Sequence, residues 1–187
     1  MLHARAPRTD IFALGVVLYE MLTGALMLLD LTRGPARPLI ETKARVFNAE
    51  ISPDGCWVAY QSDETGRWEI YVRPLPAVQT GHWQVSSAGG AEPLWARNGH
   101  ELFFVAGDGM LMAAPAQPGS SFVSGRPLPL FQAGQYHVNV ARKYDITPDG
   151  KRFLMITTAG TDGKGPSLIV VSNWAEEVRP KLERTGE

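Results

Sequence analysis

The sequence predicts an all-β fold, a partial and open β-propeller of about three four-stranded blades, preceded by one N-terminal apolar helix. Three observations carry this. After Ala25, apolar and polar residues alternate in short runs that are rich in β-branched and aromatic types and punctuated by Gly, Pro, Asp and Asn. A turn-and-strand unit then recurs, with Gly55, Gly99 and Gly150 lying 44 and 51 residues apart, close to the ~40–50 residues of a four-stranded blade. Ahead of Ala25 the residues from Ile11 to Leu22 are apolar almost throughout, as in a helix and not in a strand of alternating faces.

The helix spans Thr9–Gly24. Thr9 or Asp10 can cap its amino end, and Gly24 suits the left-handed residue that closes a helix. Ile11, Phe12, Leu14, Val16, Val17, Leu18, Tyr19, Met21 and Leu22 leave it almost no polar face, so Ile11–Leu22 must pack on the propeller, pack on another chain, or remain exposed as an aggregation liability. The strands begin with a partial blade, Met27–Leu31 and Arg37–Glu41. Further blades begin near Ala49, Glu92 and Tyr144, the last with three strands, and a charged tail follows from residue 174 to 187. The division is thus 1–25, 26–173 and 174–187.

Each blade opens on the same kind of turn: Ser52-Pro53-Asp54-Gly55, Ala96-Arg97-Asn98-Gly99 and Thr147-Pro148-Asp149-Gly150. Proline presets φ at the first corner, and Asp or Asn bonds the backbone two residues on. Glycine takes the positive φ that turns the chain into the next strand. Such a repeat favours a propeller over a sandwich, which has no reason to repeat itself.

The 187 residues are 44% hydrophobic and 20% charged, ordinary for a chain that buries a core. A net charge of −1 gives no footprint for nucleic acid. Glu20, Asp30 and the Thr23-Gly24 break argue against a membrane span or secretory signal; a cytoplasmic location is expected, with an extracytoplasmic one as the alternative. The single cysteine, Cys56, excludes an intramolecular disulfide and reads as a small buried hydrophobe.

Two resemblances add to this. The repeats Ile51-Ser-Pro-Asp-Gly and Ile146-Thr-Pro-Asp-Gly-Lys-Arg-Phe-Leu resemble the TolB-like, WD-repeat-like propellers. Gly66-Arg-Trp-Glu-Ile-Tyr-Val-Arg-Pro74 with Trp83-Gln-Val-Ser86 is similar to propellers that follow the kinase domain of bacterial serine/threonine kinases. The ending Val171-Ser-Asn-Trp-Ala-Glu-Glu177 is similar to theirs. Separately, Asp10-Ile-Phe-Ala-Leu-Gly-Val-Val-Leu-Tyr-Glu-Met-Leu-Thr-Gly24 resembles the buried central helix of a kinase carboxy-terminal lobe. That resemblance implies a kinase remnant, left by loss, deletion or misreading of the gene.

Phosphoryl transfer needs a glycine-rich loop, a strand lysine, a catalytic aspartate and metal ligands. His-Arg-Asp, Asp-Phe-Gly and Ala-Pro-Glu do not occur in this sequence. Nor does the Gly-x-Ser-x-Gly of a nucleophile elbow, and His3, His82, His100 and His137 are scattered. Asp63-Glu64-Thr65-Gly66 and Thr161-Asp162-Gly163-Lys164-Gly165 read as solvated turns in preference to calcium loops. No catalytic residue, cofactor or metal is therefore expected.

The recognition candidates are Arg67, Trp68, His82 and Trp83, because tryptophan and arginine supply most interface hot spots; packing between blades is the competing role for the tryptophans. The expectation is a non-catalytic recognition or scaffolding module with a protein or peptide ligand, which also self-associates through its open ends. The alternatives are a piece of an ATP-dependent kinase and a degraded gene product without function.

Overall fold

The computed structural model describes residues 25–28, 37–117, 119, 121–133, 142–157 and 167–172, with 157 and 167–172 described by their backbone alone. The expected helix and the charged tail lie outside the described residues. Within them the chain is all β, and every strand pairing is antiparallel. No described helix is long and apolar enough to cross a membrane.

The strands form four sheets in chain order. β1 (Ala25–Leu28) and β2 (Arg37–Glu41) make a two-stranded sheet. β3 (Val46–Ile51), β4 (Trp57–Ser62), β5 (Glu69–Pro74) and β6 (Trp83–Gln84) make a full four-stranded blade in sequential order. β7 (Gly90–Trp95), β8 (Glu101–Ala106) and β9 (Met110–Gln117) begin the next. Its outer position is shared by β10 (Val123–Ser124) and β11 (Leu128–Gln132), which pair with successive stretches of β9's free edge. Pro129 fits there because an outer strand need not donate on its far side. β12 (Tyr144–Ile146), β13 (Arg152–Thr157) and β14 (Ser167–Ser172) make a three-stranded sheet.

The three repeated turns are built as their residues dictate. Gly55, Gly99 and Gly150 donate their N–H to the carbonyls of Ser52, Ala96 and Thr147 at 2.8, 2.9 and 2.8 Å. Asp54, Asn98 and Asp149 accept the N–H two residues on, from Cys56, His100 and Lys151 at 3.0, 2.9 and 3.1 Å. All three glycines have positive φ, between 66° and 76°. Ser52 and Thr147 add a hydroxyl that takes the N–H of the next strand's first residue, Trp57 at 2.9 Å and Arg152 at 3.2 Å. Cys56 belongs to this turn, which corrects the expectation of a buried thiol. It is exposed, because the turn spends its backbone on Asp54 and leaves the side chain outside the sheet.

The pleat sends alternate residues of each blade backward and forward along the chain of sheets. Val58 and Tyr60 of β4 pack back toward Leu26 and Ile40, while Trp57 and Ala59 look forward to Trp95, Leu102 and Phe104. Phe103 and Val105 of β8 look forward in turn, to Tyr144, Ile146, Phe153 and Met155. Three apolar clusters therefore fill three junctions.

The first strands carry a second repeat. Asn48 and Glu92, each seven residues before its turn glycine, adopt positive φ of 48° and 58°. Both sit inside irregular registers, between Phe47 and Glu50 in β3 and between Ala91 and Leu94 in β7. A bulge at this place re-aims polar groups across the junction. Gln61 Oε1 accepts the Asn48 amide at 3.1 Å and the Glu92 backbone N–H at 2.7 Å. The Glu92 carboxylate then accepts the Lys143 N–H at 2.9 Å, and its carbonyl accepts the Tyr144 hydroxyl at 2.7 Å.

Candidate functional site

Three of the four candidates, Arg67, Trp68 and His82, meet at the hairpin joining β4 to β5. Gly66, at φ 82°, donates to the Asp63 carbonyl at 2.8 Å and closes the turn. Asp63 accepts from both the backbone N–H and the guanidinium of Arg45, at 2.8 and 2.7 Å. Burial alone would raise its carboxyl, but these two bonds and the nearby charge hold it below the ordinary 3.8. Arg45, so fixed, lies over the Trp68 ring at 4.9 Å, and Phe47 stacks on that ring at 5.2 Å. Trp68 is half-buried by this packing.

Arg67 has its side chain 60% exposed, yet it is tied to the fully buried Glu69 at 2.7 Å and to the Ser87 carbonyl at 2.7 Å. Glu69 also accepts the Ser86 hydroxyl and, at 3.2 Å, the Gly89 N–H. This buried carboxylate is surrounded by donors, as burial of a charge requires.

His82 is exposed, stacks on Tyr71 at 4.9 Å and places Nε2 2.9 Å from Glu64. Burial is the largest influence on it and, with Arg73, holds its pKa below 6.5 against the opposing pull of Glu64. Tyr71 in turn stacks on Tyr60, whose hydroxyl accepts from Arg73 at 2.8 Å; burial pushes that phenol up to about 12. The two acids expected to be merely solvated, Asp63 and Glu64, are thus the struts that hold Arg45 and His82. No cluster of three or more potential metal ligands occurs among the described residues.

Trp83 goes elsewhere. It is half-buried in the junction between the two full blades, edge-on to Trp57 at 5.6 Å and tilted on Phe122 at 5.9 Å. Gly81 makes room for it: a Cβ at that position would lie 2.0 Å from the indole ring. Beside this cluster the two neighbouring turns enclose a cavity of about 40 Å³, lined by Ser52, Asp54, Trp57, Trp95, Asn98 and Phe122 among others. The buried Trp57 N–H finds no partner among the described residues.

Arg45 and Phe47 escaped the sequence reading because they precede the repeat motif and reach Trp68 only through the pairing of β3 with β4. Glu69 carried a signal that could have been used: an acid at the start of a strand of otherwise buried residues needs partners.

No family model matches the sequence, and no curated protein matches it. Solved structures do. TolB from Acinetobacter baumannii superposes with a TM-score of 0.60 at 18% identity, over 80% of this chain and 35% of that one. The Swd1 β-propeller domain of Myceliophteria thermophila gives 0.54 at 13% identity, over 82% and 51%. An oligogalacturonate lyase from Vibrio parahaemolyticus gives 0.53 at 14% identity, over 82% and 43%. The chain therefore has the fold of part of a β-propeller and spans between about a third and a half of these structures.

Proposed function

We propose that the chain is a non-catalytic recognition or scaffolding module, of the kind that follows the kinase domain in bacterial serine/threonine kinases, and that the β4–β5 hairpin rim takes an extended protein or peptide segment. The observation that carries this reading is the pairing of Arg45 and the half-buried Trp68, with the exposed Arg67 next to it in sequence. A half-buried indole whose position is already fixed by its neighbours loses little freedom on binding. Propellers of unlike function share this fold, so the fold alone favours no ligand.

The string Asp10–Gly24 supports a second reading, a piece of a kinase with ATP-dependent chemistry. The absence of the kinase phosphate-binding and metal-binding motifs from the sequence weighs against activity in this chain. Calorimetric titration with magnesium and ATP separates the two: no heat is expected, and micromolar binding overturns the non-catalytic reading. Panning the full chain against a displayed peptide library tests the rim. Selected peptides should lose at least tenfold in affinity, about 1.4 kcal/mol, on Trp68→Ala. Selection of peptides indifferent to Trp68 overturns the assignment.

A further inference from the structure

The cavity between the first two repeated turns has walls that suit one class of ligand. It lies between residues 52–55 and 96–99, at the end of β4 opposite to the hairpin rim. The two turns approach closely there: a Cβ on Gly99 would stand 3.9 Å from the Pro53 ring. The volume of about 40 Å³ is roughly three times what one water needs, enough for the last two or three heavy atoms of a chain.

Three aromatic side chains line it. Phe122 is tilted on Trp57 at 5.5 Å and edge-on to Trp95 at 6.3 Å, so the rings stand at angles and do not stack on one another. The repeat does not require them. One blade on, the places of Trp57 and Trp95 relative to the turn glycine are held by Glu101 and Ile146.

The hydrogen-bonding groups of the walls select the charge. The Trp95 indole N–H donates to the Glu50 carbonyl at 3.3 Å, and the Trp57 indole N–H is buried, so both indoles offer the cavity ring carbon. The Ser52 hydroxyl donates to Asp54 and accepts the Trp57 backbone N–H. Among the lining side chains only the Asn98 amide keeps an unspent donor. Asp54 is exposed at the mouth, and its Oδ1 is taken up by Ser52 and by the Cys56 N–H. Its Oδ2 has no donor, and no ion pair among the described residues includes it. Aromatic rings attract cations, and a carboxylate accepts from them.

We infer that this cavity takes the ammonium end of a primary alkylamine, its methylenes against Trp57, Trp95 and Phe122 and its N–H groups donated to Asp54 Oδ2. A lysine side chain and a free amine share this chemistry. The site lies about 20 Å from the rim along β4 and does not depend on what the rim binds.

Titration of the full chain with n-butylamine, followed by the tryptophan indole N–H resonances, tests it. Those of Trp57 and Trp95 should move to saturation while that of Trp68, at the rim, stays. The alcohol n-butanol has the same shape without the charge and should bind at least tenfold more weakly. Asn98 already builds the same turn as Asp54, so Asp54→Asn should fold. It should lower the affinity for n-butylamine at least tenfold and leave that for n-butanol as it was. A lysine capped at both ends separates the sources: binding at least as tight as n-butylamine marks a peptide lysine, and weaker binding a free amine. Absence of saturable shifts at Trp57 and Trp95, equal affinity for the alcohol, or an Asp54→Asn variant that binds as the parent does each overturns the assignment.

Discussion

The two junctions on either side of the β7–β11 blade occupy equivalent places in the repeat and are filled differently. Between β3–β6 and β7–β11 the volume comes from indoles near the strand ends: Trp57, Trp83 and Trp95 gather around Phe122. Between β7–β11 and β12–β14 it comes from phenyl rings, with Phe153 edge-on to Phe103 at 5.0 Å and to Phe131 at 5.7 Å. The polar bridges differ likewise. The first is a side-chain amide, Gln61, receiving a backbone N–H; the second is a carboxylate, Glu92, receiving another. The pleat and the bulge fix where a group must stand, while size and chemistry at each address stay free as long as the junction is full and every donor is met.

The largest expected effect sharpens that contrast. Phe153 is fully buried and Trp83 only half-buried. Phe153→Ala should cost about 3–5 kcal/mol, the range for a large aromatic removed from a core, and Trp83→Ala clearly less. Urea unfolding followed by fluorescence and circular dichroism would measure both, and equal costs would break the distinction between a packed junction and one at the strand ends.

Next comes the carboxylate bridge. Glu92→Ala removes the acceptor of the Lys143 N–H and should cost about 1–3 kcal/mol. Glu92→Gln keeps an acceptor at the same place and should recover most of the loss. An alanine variant as stable as the parent would show that Tyr144, bonded to the Glu92 backbone, closes this junction unaided.

The smallest effect concerns pH. His82 titrates below its ordinary 6.5 in the folded chain, chiefly because burial favours the neutral ring. Its contribution to stability is therefore complete above about pH 6.5 and is lost as pH falls through the lowered folded value. The imidazole resonances should report a midpoint below 6.5. Glu64→Gln should lower it further by removing the one charge that opposes the shift. A midpoint above 6.5 would mean that the Glu64 contact outweighs burial.

The blade repeat, the three turns and the strand order were legible because each rests on local chemistry: a proline, an acid or amide, a glycine and a run of period two. The division of the outer strand between β10 and β11 was not, since a two-residue pairing such as that of β10 has no period to read. The inter-blade bridges were hidden for a different reason. Gln61 looks like any polar residue of an exposed strand face, and only the approach of the next blade's bulge buries it. Of the rim, Trp68 and Arg67 stood out by residue type, while Arg45 joined them through a contact across strands that no spacing reveals. Trp83 shows the limit of residue type as a guide: beside His82 in the chain, it turns into the junction because neighbouring residues of a strand face opposite ways.

Gly81 and Trp83 form a coupled pair. With the indole where it lies, any side chain at residue 81 would collide with the ring, so glycine there is a mould whose shape is set by its neighbour two positions away. The two sites cannot vary one at a time. Among chains descended from this one, a larger residue at 81 should be found only beside a smaller one at 83. The first full blade would then close on its neighbour through Trp57, Trp95 and Phe122 without its outer indole.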